Sequence, residues 1–80
     1  MATKRVKFTF PTQLIKEPVI YKLGKQYKVV TNIRRADVRE NTGWVVLEIE
    51  GDDGEIDKAL QWVKSLGVQV TPVSGDIIAG

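Results

Sequence analysis

Polar and apolar residues alternate along this chain with two different periods. Val6, Phe8 and Phe10 alternate with Lys7 and Thr9, the period of two expected of a half-buried strand. Pro11 ends the run because it brings no N–H to a ladder. From 17 to 27 the spacing becomes helical: Val19, Ile20, Leu23 and Tyr27 share a stripe, with Pro18 suited to the first turn. Gly24 weakens that helix by roughly 1 kcal/mol relative to alanine, which points to close packing or a frayed end. Two β-rich runs follow, 28–38 and 44–50. They are joined by Glu40-Asn41-Thr42-Gly43, residues that tolerate left-handed backbone at a hairpin. In the latter run Val45, Leu47 and Ile49 share one face, and Trp44, Val46, Glu48 and Glu50 share the other.

A second helix is the clearest element. Asp52 or Asp53 can cap it, and Glu55 completes a capping-box spacing from Asp52. Ile56, Ala59, Leu60, Val63 and Leu66 form its apolar stripe, and Gly67 stands where a left-handed C′ residue is wanted. Trp62, at the stripe's margin, reads as a partly buried packing residue. Val68 to Thr71 reads as a last short strand closed by Pro72. The order is βαββαβ. With right-handed crossovers it gives an α+β, ferredoxin-like domain over 1–73: a four-stranded antiparallel sheet, order 4-1-3-2, with both helices on one face. Residues 74–80 read as a C-terminal tail in which Ile77-Ile78 could add a short strand. The second strand is exposed at an edge, and the other sheet face is uncovered.

Composition narrows the chemistry. The 80 residues are 42% hydrophobic and 28% charged, as in ordinary globular domains. No run approaches the ~20 apolar residues of a bilayer span, and the N-terminus lacks the apolar stretch of a secretory signal, so a cytoplasmic location is expected. Without cysteine or histidine the chain has no disulfide, thiol nucleophile, iron–sulfur cluster, zinc site of N or S ligands, or histidine acid–base pair. No catalytic constellation stands out, no GxxxxGK[ST] phosphate loop is present, and no cofactor is expected. Residues 1–39 carry ten Lys/Arg against Glu17 and Asp37, net +8. Residues 40–80 carry Lys58 and Lys64 against eight acids, net −6. The halves are read as interleaving and neutralising each other, the basic first helix lying beside the acidic second.

Asn32 is the unusual residue. Asparagine is depleted in strands because its side chain competes for backbone hydrogen bonds. Here it sits in a β-rich run beside Ile33 and before Arg34 and Arg35. It either bonds neighbouring backbone at a bend or bulge, or contacts a ligand. Alternation puts Arg34 and Arg35 on opposite faces unless a bulge intervenes, and such charges commonly guard an edge strand. Of the open-face side chains only Trp44 could stack a base, while Glu48 and Glu50 would repel phosphates, so nucleic-acid binding is a weak reading.

The segments Val6-Lys7-Phe8-Thr9-Phe10, Glu17-Pro18-Val19-Ile20, Asn32-Ile33, Glu50-Gly51, Ala59-Leu60-Gln61-Trp62-Val63 and Gly67-Val68-Gln69-Val70 resemble, in order and spacing, the NIL domain. This module is found at the C-terminus of methionine-importer ATPases and fused to small iron–sulfur ferredoxins. The resemblance spans about residues 5–73 and suggests a stand-alone copy. The family's Asn-Ile-Leu motif survives as Asn32 and Ile33, with Arg34 in the third place. The resemblance implies a non-catalytic, amino-acid-sensing domain, methionine being the transporter members' ligand, that pairs as a homodimer through its sheet and regulates ABC-type transport. Asn32, Ile33 and Arg34 become the candidate ligand contacts, and Arg34 could hold a carboxylate. Val30, Trp44 and Val46 are the candidate interface. The competing reading is an assembly module without ligand, docking to a transporter or ferredoxin partner.

Overall fold

A computed structural model describes residues 2–73. Strand β1 (Ala2–Phe10) leads through a 3-10 turn (Thr12–Leu14) into helix α1 (Val19–Gln26). Strands β2 (Val30–Val38) and β3 (Gly43–Gly51), helix α2 (Asp53–Ser65) and strand β4 (Gln69–Pro72) follow. The sheet order is β2-β3-β1-β4, all neighbours antiparallel, which is the expected ferredoxin-like order read from the opposite edge.

The alternating pattern becomes the core directly. Val6 pairs with Leu47 and Phe8 with Val45, so both central strands turn their apolar sets to the same face. Against it lie Val19 and Leu23 of α1 and Ile56, Ala59 and Val63 of α2. Phe8, Leu23, Leu47, Ile49, Ile56 and Val63 are the largest fully buried side chains. Each contributes about 1.5–3 kcal/mol of transfer free energy. Trp62 packs its ring on Tyr27, centroids 6.1 Å apart, at the margin of the core as expected.

Local departures from the sequence expectations have physical causes. Helix α1 is shorter than 17–27: Pro18 stands before it, and its carbonyl accepts the Lys22 N–H at 3.0 Å. Gly24, in the last turn of α1, is not tightly packed: a Cβ placed there meets nothing within 4 Å. Asp52 precedes α2, but its side chain makes no capping bond. The Glu55 carboxylate instead accepts the backbone N–H of Lys28 at 2.9 Å, tying the start of α2 to the approach to β2. Gly67 does take the left-handed conformation, φ 102°, and its N–H bonds the Lys64 carbonyl. The β2–β3 connection uses no left-handed residue; the Arg39 N–H bonds the Thr42 carbonyl at 2.7 Å across a four-residue loop. β1 begins at Ala2 rather than Val6 because Ala2 to Arg5 pair with Gly51 to Glu48.

The opposite charges of the two halves meet chiefly through β1. Lys4 reaches Asp57 of α2 at 3.3 Å, and Arg5 reaches Glu48 of β3 at 2.5 Å. The Ile77-Ile78 segment and the rest of 74–80 lie outside the described residues. Among the described residues no helix is long and apolar enough to cross a membrane.

Candidate functional site

β2 is an edge strand, paired on one side with β3 and on the other with no strand among the described residues. Its ladder runs in one register from Val30 to Ile33 and in another from Arg35 to Val38, with Arg34 as the extra residue of a bulge. The shift decides which side chains share a face. Val30, Asn32, Arg35 and Asp37 oppose Glu50, Glu48, Val46 and Trp44, so they belong to the open face. Thr31, Ile33, Ala36 and Val38 oppose Ile49, Leu47, Val45 and Gly43 and belong to the helix face. The sequence carries the signal: the apolar positions change parity between Ile33 and Ala36, as one inserted residue requires.

On the open face, Asn32 borders a shallow cavity of about 220 Å³ with Val30, Thr31, Glu48 and Glu50. The Asn32 side chain is exposed and makes no hydrogen bond among the described residues. Its amide therefore offers one acceptor and two donor hydrogens outward. It stands beside two carboxylates. Glu48 is held below its ordinary carboxylate range, first by the hydrogen bond from Arg5 and also by the charges of Arg5 and Arg34. Glu50 is exposed. The cavity thus has an acidic side and an amide, with a guanidinium close enough to be felt at Glu48.

The three residues of the sequence motif do not line one cavity. Asn32 opens to the bare sheet face, Ile33 lies on the opposite face, and Arg34 is the bulge between Ile33 and Arg35. Ile33 borders a separate apolar groove of about 280 Å³ between β2 and the start of α1. Sequence reasoning missed this groove because its walls, Pro18, Ile20 and Tyr21 on one side and Ile33 and Val38 on the other, come from distant segments. The cavity beside Asn32 was missed in part for the same reason: Glu48 and Glu50 reach it only through the β2–β3 register.

The interface candidates share the open face. Val30 opposes Glu50 at the edge, while Trp44 and Val46 stand on β3. Trp44 is half-buried, with the Lys7 ammonium 5.1 Å from its ring centroid, a cation–π contact that covers one of its faces.

The NIL domain family matches residues 4–72, nearly the whole described chain. Among solved structures, the chain is similar to the crystal structure of the C-terminal domain of an ABC transporter/ATP-binding protein from Enterococcus faecalis. The TM-score is 0.77 at 20% identity, covering 90% of this chain and 84% of that one. At that identity the likeness speaks for the fold. No curated protein matches the sequence. The family match spans β1 through β4 and agrees with the four-stranded sheet and its two helices, and the chain belongs to the NIL domain family.

Proposed function

We propose that this domain is a non-catalytic, cytoplasmic regulatory module that senses a free amino acid and acts as a homodimer, in the service of ABC-type transport. The observation that carries the reading is Asn32: an amide with no hydrogen bond among the described residues, bordering a cavity with two carboxylates, on a sheet face that no described element covers. An α-amino acid presents an ammonium and a carboxylate a few bonds apart. Glu50 would receive the ammonium, and the Asn32 amide, with Arg34 near, would receive the carboxylate. Methionine is the first ligand to test. The likeness to an ABC ATPase's C-terminal domain favours the link to transport. Pairing through Val30, Trp44 and Val46 would cover the cavity and bury a ligand between two copies. A ligand held better in one arrangement of the two copies than in another would then shift their equilibrium, the elementary step of such regulation.

Titration of the isotope-labelled chain with individual amino acids, followed by NMR, tests the ligand. The expected result is saturable shifts at Asn32, Glu48 and Glu50, abolished in Asn32→Ala. No shift at millimolar concentration of any amino acid would overturn the sensing reading. Sedimentation equilibrium tests the pairing: a monomer at high concentration, with and without amino acid, would overturn it. Domain limits of 1–73 are proposed with it, and deletion of 74–80 should leave the melting curve unchanged.

A further inference from the structure

Independently of any amino-acid site, we infer that the edge of β2 and the apolar groove behind it form a docking site for an extended segment of another protein, one that alternates apolar and acidic residues. The groove lies on the helix face, between β2 and the start of α1, and Pro18, Ile20, Tyr21, Ile33 and Val38 line it together with Glu17, whose carboxylate is engaged by Lys22 at 2.8 Å. Tyr21, Ile33 and Val38 are more than half exposed, at 64%, 53% and 57%. At about 280 Å³ the groove lies just below the range of small-molecule pockets, roughly 300–1,000 Å³, and offers room for apolar side chains.

An edge strand guarded only against aggregation needs charge or a bulge, and β2 has both; it does not need bare aliphatic residues beside an open groove. A strand added to β2 would hydrogen-bond its free backbone and send alternate side chains to opposite faces. Those on the helix face would enter the groove. Those on the open face would meet Asn32 and Arg35, with Arg34 at the bulge.

Charge selects the occupant. Between residues 28 and 39 stand Lys28, Arg34, Arg35 and Arg39 against the single acid Asp37. Asp37 is already engaged by Arg39 through both carboxylate oxygens, at 3.1 and 3.2 Å. Arg34 and Arg35 make no ion pair among the described residues. A second copy suits this edge poorly: twofold antiparallel pairing of β2 with β2 centred on the strand's middle would set these arginines near their own symmetry mates. An acidic segment would satisfy them.

The test uses the full, isotope-labelled chain and two short acetylated peptides. One alternates leucine or valine with glutamate or aspartate; its twin carries lysine at every acidic position. The acidic peptide should shift the amides of residues 30–38 together with Ile20 and Tyr21, and rising salt should weaken it. The double variant Arg34→Glu, Arg35→Glu should lose about tenfold or more in affinity while its circular dichroism and amide dispersion stay native. Ile33→Asp should block the groove with the same preserved spectra. Equal binding of the lysine peptide, shifts confined to other surfaces, or affinity unmoved by the double variant would each overturn the proposal. So would displacement of the peptide by free amino acid with shifts in the groove, which would make the groove a ligand cavity. Failure of amino-acid sensing reads out separately, at Asn32, Glu48 and Glu50 without peptide.

Discussion

Gly51 closes β3 against the start of β2, and replacing it by alanine tests how tightly that corner is fixed. A Cβ at Gly51 would sit 2.9 Å from the Lys28 carbonyl oxygen, 3.2 Å from Val29 Cγ1 and 3.6 Å from Val29 Cα. The nearest atom is backbone, so no rotamer change can relieve the contact. It is also backbone that is held from two directions. The Lys28 N–H is bonded to Glu55, and Val29, itself buried in the core, donates its N–H to the Tyr27 carbonyl. Relief must come from moving this link or the end of β3, where Gly51 pairs with Ala2.

Overpacking of this kind costs about 1–3 kcal/mol. Against it, alanine restricts the unfolded chain and returns roughly 0.4–1 kcal/mol where the backbone is compatible, as it is here without a left-handed φ. Gly51→Ala should therefore destabilise by about 1–2 kcal/mol net. In a domain this size each kcal/mol moves Tm by roughly 4–8 °C, so a fall of about 4–16 °C is expected. Thermal and urea unfolding followed by circular dichroism measure it. Because Glu55 anchors Lys28, the double variant Gly51→Ala, Glu55→Ala should lose less than the sum of the single losses: a link already released can retreat from the methyl. An unchanged or raised Tm for Gly51→Ala would refute the close-approach argument.

Gly24 is the opposite case: its Cβ position is open and helical, so Gly24→Ala should stabilise by about 0.5–1 kcal/mol, read in the same melts. Leu47→Ala removes a fully buried side chain between the sheet and the helices and should cost about 2–5 kcal/mol in urea unfolding. Glu48 has its folded pKa depressed, so the stability it contributes is complete above its ordinary value of 4.5 and is lost as pH falls through the folded pKa. Glu48→Gln should thus flatten the acid limb of a stability–pH profile below that value, while a profile parallel to that of the unmodified chain would refute the assignment.

Much of the fold was legible because two periodicities were strong and consistent with turn chemistry. The stripe of Ile56, Ala59 and Val63 ended by Gly67 has few readings other than a helix with a left-handed stop, and that is what forms. The capping box failed although its spacing was right, because Glu55 found a stronger demand in the Lys28 N–H, a partner 27 residues away in sequence. Close packing at Gly24 failed for a related reason: a glycine in a helix pattern says that a side chain is absent, and only neighbours from other segments say whether one would fit. The face shared by Asn32, Arg35 and Glu48 is of the same kind. It depends on a register across the β2–β3 hairpin that a single residue, Arg34, resets.

That reset separates two surfaces which an uninterrupted strand would have mixed. Without the bulge, Ala36 and Val38 would stand on the same face as Asn32, and Arg35 would project over the groove beside Ile33. With it, the helix face of β2 is apolar from Ile33 to Val38, while the open face keeps the amide and Arg35. The basic excess of residues 1–39 is divided in the same way. β1 delivers Lys4 and Arg5 to acids of the second half, whereas Arg34 and Arg35 stay on the edge without an ion pair among the described residues. Neutralisation between the halves is thus concentrated at β1, at the centre of the sheet. The charge that remains on β2 lies where an added strand could meet it, and deleting Arg34 should leave a continuous ladder with every later residue still on its present face.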